Sequence, residues 1–279
     1  MANSPLKNTE WLAKNLSRDG LVILDASWHL PASGRSAAEE YKADHIPGAH
    51  FFDIDVITDQ RSELPHMLPG PRDFAFAVRK FGVTNGSKII IYENEGSFAA
   101  ARAWWMFRSM GHKNVYVLNG GMRKWRADKQ LTDGKPQYAE ETVYYADATK
   151  SLSLSRDDIL ANIDTGERQI IDARSTGRFN GTEAEPREGL RGGHIPGSIN
   201  LPVAELYSGD GTLLERNLLT EKFTDAGVDF SKPLGTTCGS GVTASCLALA
   251  LAQLGHWNTL VYDGSWTEWG ADEALPLET

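Results

Sequence analysis

The sequence contains few cysteines, no excess of positive charge and no long hydrophobic run. Only two of its 279 residues are cysteines, Cys238 and Cys246. In a helix they would lie about two turns apart, too far for a disulfide, and their spacing does not match that of zinc ligands. We therefore expect free thiols, a reducing cytoplasmic location, and neither a metal nor an organic cofactor.

The balance of charged and apolar residues argues against two further classes of protein. A net charge of −9 disfavours a nucleic-acid partner. No apolar run reaches membrane-spanning length, and the N-terminal sequence MANSPLKNTEW lacks the apolar core of a signal peptide. Because 41% of the residues are hydrophobic, the chain can still bury a core. These features predict a soluble globular protein without membrane or nucleic-acid partners, and we expect a monomer.

Strand and helix patterns alternate along the chain and then recur in the same order. Apolar runs at 21–26, 88–92 and 115–118 predict buried parallel strands, and helical spacing appears at 37–44, 73–81 and 99–110. Corresponding landmarks of the second half follow 144 to 149 residues later. The landmark pairs are Asp25 and Asp172, His45 and His194, and Gly111 and Gly255.

This repetition predicts an α/β fold duplicated in tandem, with units of about 120 residues. We place the first domain at 5–129, a linker at 130–151 and the second domain at 152–277. Each domain is expected to contain a parallel sheet with helices on both faces.

The segment Cys238-Gly239-Ser240-Gly241-Val242-Thr243 joins a predicted strand to a predicted helix. Backbone N–H groups at a helix N-terminus are unpaired and favour the thiolate form of a cysteine, and the two glycines let those groups converge. The alternative is a buried turn cysteine without chemical function. The repeat offset places Asn94 opposite Cys238, so we expect chemistry in the second domain, with the first domain forming one wall of the site.

These motifs together resemble the two-domain rhodanese superfamily and, within it, the 3-mercaptopyruvate sulfurtransferases. The resemblance covers nearly the whole chain, and CGSGVT is its most specific motif, since thiosulfate-preferring relatives carry two basic residues in place of Gly239 and Ser240. Other matching segments are the two HIPG motifs at 45–48 and 194–197, 66–69, 102–106, 181–187 and 262–266.

The resemblance implies a five-stranded parallel sheet in each domain and a catalytic Cys238 that carries sulfur as a persulfide. Sulfane sulfur would come from 3-mercaptopyruvate, pyruvate would be released, and the acceptor would be thioredoxin, a small thiol or cyanide. Ser240 would assist at the reacting sulfur, and Arg178 and Arg187 would bind the donor carboxylate. The other implied substrate-binding residues are Gly239, Gly241, Val242 and Thr243.

Simpler interpretations exist for several of these residues. Arg178 and Arg187 could form surface salt bridges, and Arg187 has three glutamates nearby in the sequence. Thr243 is predicted to cap the following helix. His66, in a proline-rich loop, could approach the site but is assigned no role. Residues expected to be structural are His45, His194, Asp25, Asp172 and Cys246.

Three alternative functions fit the sequence less well. A thiosulfate:cyanide sulfurtransferase should place positive charge in the loop, where Gly239 and Ser240 provide none. A cysteine-dependent phosphatase would need an arginine at the sixth residue after Cys238, which is Ala244. A non-catalytic sulfur-carrier or regulatory module would not need the intact thiol.

Overall fold

Two parallel sheets of five strands each form the framework of the molecule. The computed structural model describes residues 4–135 and 137–279, so residues 1–3 and Pro136 of the predicted linker lie outside the described residues. The first sheet comprises β1 (Leu6–Lys7), β2 (Leu21–Asp25), β3 (Ala49–Phe51), β4 (Lys88–Tyr92) and β5 (Val115–Leu118). The second comprises β6 (Ser153–Leu154), β7 (Gln169–Asp172), β8 (Ile199–Asn200), β9 (Leu234–Thr237) and β10 (Leu260–Tyr262).

The two sheets have the same topology. Their strand orders are β1-β5-β4-β2-β3 and β6-β10-β9-β7-β8, and every neighbouring pair is parallel. The central strand β4 carries Ile89, Ile90 and Ile91, all fully buried, as expected when both faces of a sheet are covered. The predicted tandem α/β fold is confirmed. The exact domain and linker limits stay predictions.

Ten α-helices cover the two sheets within the described part of the chain. In the first half they are α1 (Thr9–Ala13), α2 (Ala37–Ala43), α3 (Pro71–Val78), α4 (Ala100–Ser109) and α5 (Gly121–Ala127). In the second half they are α6 (Arg156–Thr165), α7 (Thr176–Phe179), α8 (Arg216–Asp225), α9 (Val242–Leu254) and α10 (Ser265–Trp269). The helix predicted at 73–81 ends at Val78, and Arg79–Phe81 continues as a 3-10 turn.

The two halves pack together mainly through α4 and α9. Helix α9 is apolar on all sides and almost completely buried, and Ala244, Ala248 and Ala252 allow close approach. Trp104 and Trp105 of α4 are buried in the core that both halves share. This contact places the N-terminus of α9, and therefore the cysteine loop, against the first half of the molecule.

The strand register shows that Asn94 is not the residue of the first half that corresponds to Cys238. Asp25 pairs with Tyr92 between β2 and β4, and Asp172 pairs with Thr237 between β7 and β9. The next residue along the chain is Glu93 in one sheet and Cys238 in the other, so the assignment of Asn94 was wrong by one position. The offset between the halves varies by a few residues, and only strand pairing fixes it.

Glu93 places a carboxylate where the second half has its thiol. An oxygen of Glu93 accepts a hydrogen bond of 2.6 Å from the N–H of Ala100, the first residue of α4. Burial raises the pKa of Glu93 to about 7, although backbone N–H groups partly oppose this. The helix N-terminus in the first half is therefore occupied by the protein's own acid.

Glu93→Gln is expected to alter the pH dependence of stability. Because the folded state holds the Glu93 proton up to about pH 7, wild-type stability falls as the pH rises from the unfolded-state value of this carboxyl, near 4.5, to 7. Between pH 5 and pH 8, the free energy of unfolding of the variant should therefore rise by about 2.5 kcal/mol relative to that of wild type. Urea denaturation at both pH values measures this. The exposed neighbour provides a control, Glu95→Gln, and an equal pH effect there would contradict the assignment.

Candidate active site

Cys238 lies directly between β9 and α9, and only 2% of its surface is exposed. Its N–H donates to the Ser265 hydroxyl at 3.2 Å, and its carbonyl accepts from the Trp266 N–H at 2.9 Å. The first two residues of α10 thus hold the backbone of Cys238 in place. Within the described residues, the N–H groups of 239–243 donate no hydrogen bond, so they are available to a bound anion.

A cavity of about 330 Å³ opens at this loop, at the carboxyl end of the second sheet. Residues of both halves of the chain line it, as expected from the prediction that the first domain forms one wall of the site. The second half contributes Arg178, Pro186, Arg187, Cys238, Gly239, Ser240, Val242 and Thr243. The first half contributes Trp28, His29, Leu30, Ser33, Arg35, Gly96, Ser97 and Phe98.

Arg178 is held by a chain of alternating charges. Its guanidinium donates to Glu185 at 2.5 Å, and Glu185 also accepts from Arg174 at 2.8 Å. Arg174 in turn pairs with Asp172 at 2.7 Å. This chain contains two cations and two anions, so the charge of Arg178 is already compensated by the protein. Glu185 is one of the three glutamates near Arg187 in the sequence, and it pairs with Arg178.

Arg187 has no ion pair or hydrogen bond among the residues that the structure describes. A Cβ atom added at Gly239 would lie 4.0 Å from one Nη of Arg187 and 3.1 Å from one Nη of Arg178. Both guanidinium groups therefore lie beside the cysteine loop. Burial lowers the pKa of Arg187, while the attraction of Cys238 opposes this. The simpler interpretation of Arg187 as a surface salt bridge is wrong.

A histidine from the first half reaches the loop of the second. Nδ1 of His66 lies 3.2 Å from the Ser240 hydroxyl, and Nε2 lies 2.8 Å from an Asp55 oxygen. Trp28 donates its indole N–H to the other Asp55 oxygen at 2.9 Å and packs edge-on against His66. The His66 hydrogen bond is the main cause of a lowered pKa for Asp55. Asp55, His66 and Ser240 thus form a hydrogen-bonded chain beside Cys238.

Sequence reasoning gave His66 and Asp55 no role, although two signals were present. Asp55 follows β3 at the carboxyl end of the first sheet, where α/β proteins bind ligands. His66 lies in the long loop between β3 and α3, and such loops frequently carry function. The contact with Ser240, 174 residues away, depends on how the two halves dock.

Comparison with known proteins places the chain in a family. A model of the Rhodanese-like domain matches residues 8–128 and 155–272. The chain belongs to the rhodanese family. It is 41% identical to the 3-mercaptopyruvate sulfurtransferase of Escherichia coli K12, with 100% of this chain and 99% of the relative covered.

Further similarity extends to a plant relative and to a solved structure. The mitochondrial thiosulfate/3-mercaptopyruvate sulfurtransferase 1 of Arabidopsis thaliana is 39% identical, over 99% of this chain and 79% of the relative. The crystal structure of E. coli SseA, described as a 3-mercaptopyruvate sulfotransferase, has a TM-score of 0.86 at 39% identity. That likeness covers 95% of this chain and 99% of SseA.

Two predicted residues of the rhodanese loop lie differently from expectation. Gly241, with φ of 78°, is the N-cap of α9, and it does not line the cavity. A Cβ atom there would lie 2.8 Å from an Nη of Arg102, so the position requires glycine. Thr243 does not cap α9, because the left-handed Gly241 already begins the helix without a side-chain cap. Thr243 lines the cavity instead.

Three residues expected to be structural, His45, His194 and Cys246, are buried in this rhodanese chain. His45 and His194 each hydrogen-bond a backbone carbonyl, and Cys246 is fully buried and lies 3.4 Å from the carbonyl of Phe98. Among the described residues, no cluster of His, Cys, Asp and Glu could hold a metal ion. No helix in the described ranges is long and apolar enough to cross a membrane.

Proposed function

We propose that this rhodanese-family chain transfers sulfur from 3-mercaptopyruvate, through a persulfide on Cys238, to a thiol or to cyanide. One observation carries the donor assignment: the unpaired guanidinium of Arg187 shares the cavity of Cys238. A planar guanidinium matches a carboxylate, and the donor is a small 2-oxo acid. The relatives named for this reaction, at about 40% identity over the whole chain, support the proposal.

Donor binding uses the cations and the free N–H groups of the loop. Arg187, assisted by the open edge of Arg178, holds the donor carboxylate so that the donor sulfur faces Cys238. The unpaired N–H groups of 239–243 stabilise negative charge at the reacting sulfur atoms. Val242 and Thr243 form the wall beside the bound donor. The two arginines and this wall fix the orientation of the donor relative to Cys238 before any bond changes.

In the first half-reaction, the Cys238 thiolate attacks the sulfur of the donor. A sulfur–sulfur bond forms, the carbon–sulfur bond breaks, and its electron pair goes to the enolate of pyruvate. The thiol proton of the donor ends on the enolate carbon, so the products are the persulfide anion and pyruvate. The chain of Ser240, His66 and Asp55 is placed to move this proton, because Ser240 belongs to the cysteine loop and its hydroxyl lies 3.2 Å from Nδ1 of His66.

In the second half-reaction, an acceptor removes the outer sulfur of the persulfide. A thiolate attacks that sulfur, and the Cys238 thiolate leaves, while cyanide would leave as thiocyanate. Thioredoxin and small thiols are both proposed acceptors. A cytoplasmic location also remains a proposal, supported by two free and buried cysteines. The monomeric state stays a prediction.

Thiosulfate is the second candidate donor, because the name of the Arabidopsis relative includes both donors. Thiosulfate is a dianion, and Gly239 and Ser240 add no positive charge to the loop. Arg187 is the unpaired cation of the described cavity wall, so we expect the monocarboxylate donor to be preferred. A comparison of kcat/KM for the two donors tests the proposal. A strong preference for thiosulfate would overturn it.

Arg187→Ala is expected to raise KM for 3-mercaptopyruvate about 10- to 100-fold, since one charge-assisted contact contributes about 1.5–3 kcal/mol. Steady-state kinetics with the acid and with its uncharged methyl ester separate the causes. The ester should be affected much less, because it presents no carboxylate. The exposed Arg72 of α3 provides the matched control, Arg72→Ala. Equal losses with acid and ester would show that Arg187 has a structural role only.

A further inference from the structure

His66 has a backbone conformation that must be held in place. Its φ angle is 62°, in the left-handed region that residues other than glycine seldom adopt. The residue is 4% exposed and lies in the long loop between β3 and α3. Strained residues of this kind persist only where their surroundings fix them. The groups that fix the backbone around His66 therefore decide whether its imidazole faces Ser240.

Two buried charges, one from each half of the chain, provide this fixation. Arg102 of α4 donates to the carbonyl of His66 itself. Asp263, which follows β10, accepts the N–H of Leu68 at 2.7 Å. Arg102 and Asp263 also pair with each other at 2.7 Å, and their side chains are 0% and 4% exposed. One ion pair thus binds the backbone of the β3–α3 loop at two positions, His66 and Leu68.

The same ion pair contacts the cysteine loop. A Cβ atom at Gly241 would lie 2.8 Å from an Nη of Arg102 and 3.0 Å from the carbonyl of Asp263. Arg102 also stacks on Trp105, with 4.4 Å between the guanidinium carbon and the ring centre. This buried ion pair therefore connects the His66 loop to the N-terminus of α9.

We propose that the Arg102–Asp263 ion pair is a positioning element that holds His66 against Ser240 across the contact between the two halves. The inference rests on the proposed function, because it concerns the residues that assist Cys238. It gives the thiol-free first half a defined part in the reaction. That half supplies His66 and Asp55, and the ion pair sets their distance from the thiol.

A double-mutant cycle separates positioning from simple structural support. One arm replaces both charges, Arg102→Met with Asp263→Leu, so that neither charge stays buried without its partner. The other arm is His66→Asn, because asparagine tolerates the left-handed backbone. We expect the charge-free pair to lower kcat at least about tenfold, with KM for the donor changed less than about twofold. In the His66→Asn background, the same pair should lower kcat by less than about twofold.

A matched control is the exposed ion pair of Lys222 and Glu205, whose atoms lie 2.9 Å apart. Replacing both by glutamine should leave kcat unchanged. Circular dichroism and thermal unfolding establish that each variant is folded. If the charge-free pair does not fold, Asp263→Asn enters the same cycle. It keeps an acceptor for Leu68 and should show a smaller loss that again disappears in the His66→Asn background.

The outcomes are distinct. If the charge-free pair lowers kcat by the same factor with His66 and with His66→Asn, the inference is overturned, because the ion pair then acts independently of His66. A loss confined to KM would overturn it as well. If the wild-type chain itself fails to release pyruvate from 3-mercaptopyruvate, the proposed function fails, which the wild-type arm reports before any variant is compared.

Discussion

Cys238→Ser is expected to abolish sulfur transfer, with a loss of kcat of at least about 10⁴-fold. A serine hydroxyl at this position is a far weaker nucleophile than a thiolate and cannot form a persulfide. Serine has nearly the same size, and the contacts of the loop with Ser265 and Trp266 use the backbone of residue 238. The fold should therefore be retained, as circular dichroism and thermal unfolding would show. Pyruvate release from 3-mercaptopyruvate measures the activity.

The second cysteine provides the matched control. Cys246 is fully buried in α9, and burial raises the pKa of its thiol well above the ordinary value. It contributes no thiolate at neutral pH and does not line the active-site cavity. Cys246→Ser should keep sulfur transfer, even if it lowers the unfolding temperature. If Cys238→Ser keeps its turnover, Cys238 is not the nucleophile. The same conclusion would follow if Cys246→Ser were the one variant of the two that loses turnover.

His66→Asn is expected to lower kcat about 10²- to 10⁴-fold, the usual range for loss of a group that transfers a proton. KM for the donor should change little, because Arg178 and Arg187 are untouched. Asp55→Asn should lower kcat less, since it removes the partner that orients His66 and leaves the imidazole in place. Steady-state kinetics measure both variants.

A distant histidine provides the control for the His66 prediction. His256 follows α9 and stacks on Phe230, with ring centres 5.0 Å apart. His256→Asn should leave kcat unchanged. A wild-type kcat in His66→Asn would show that the chain from Asp55 to Ser240 takes no part in proton transfer. A large rise in KM alone would assign His66 to donor binding.

The fold could be predicted because its signals are local. Continuous apolar runs such as 88–92 identify strands buried on both faces, and they occur in the same order in both halves. The repeat then gave the tandem architecture directly. The error of one residue between Asn94 and Glu93 has a physical cause, because loops of different length shift the offset and only strand pairing restores it.

The site was predictable only within one half. The cysteine loop and the arginines follow strands of the same sheet, and the resemblance identified them. The pairing of Glu185 with Arg178 could not be predicted from the sequence. Three glutamates lie near Arg187 in the chain, and only the packing of the fold brings Glu185 to Arg178. His66 was missed for a stronger reason, since its contact with Ser240 exists only after α4 and α9 have docked.

Thr243 illustrates competition between two local rules. Threonine near a helix N-terminus favours a cap, but glycine in the left-handed conformation at Gly241 already sets the start of α9. The glycine is required there by the approach of Arg102, a long-range contact. A tertiary constraint thus decides a local feature, and Thr243 is left to line the cavity.

Mass spectrometry after incubation with 3-mercaptopyruvate tests the central claim most directly. We expect that the intact protein gains the mass of one sulfur atom, that peptide mapping places it on Cys238, and that a thiol or cyanide removes it. Cys238→Ser should gain nothing. Pyruvate release without any sulfur on Cys238, or sulfur found on Cys246 instead, would contradict the proposed mechanism.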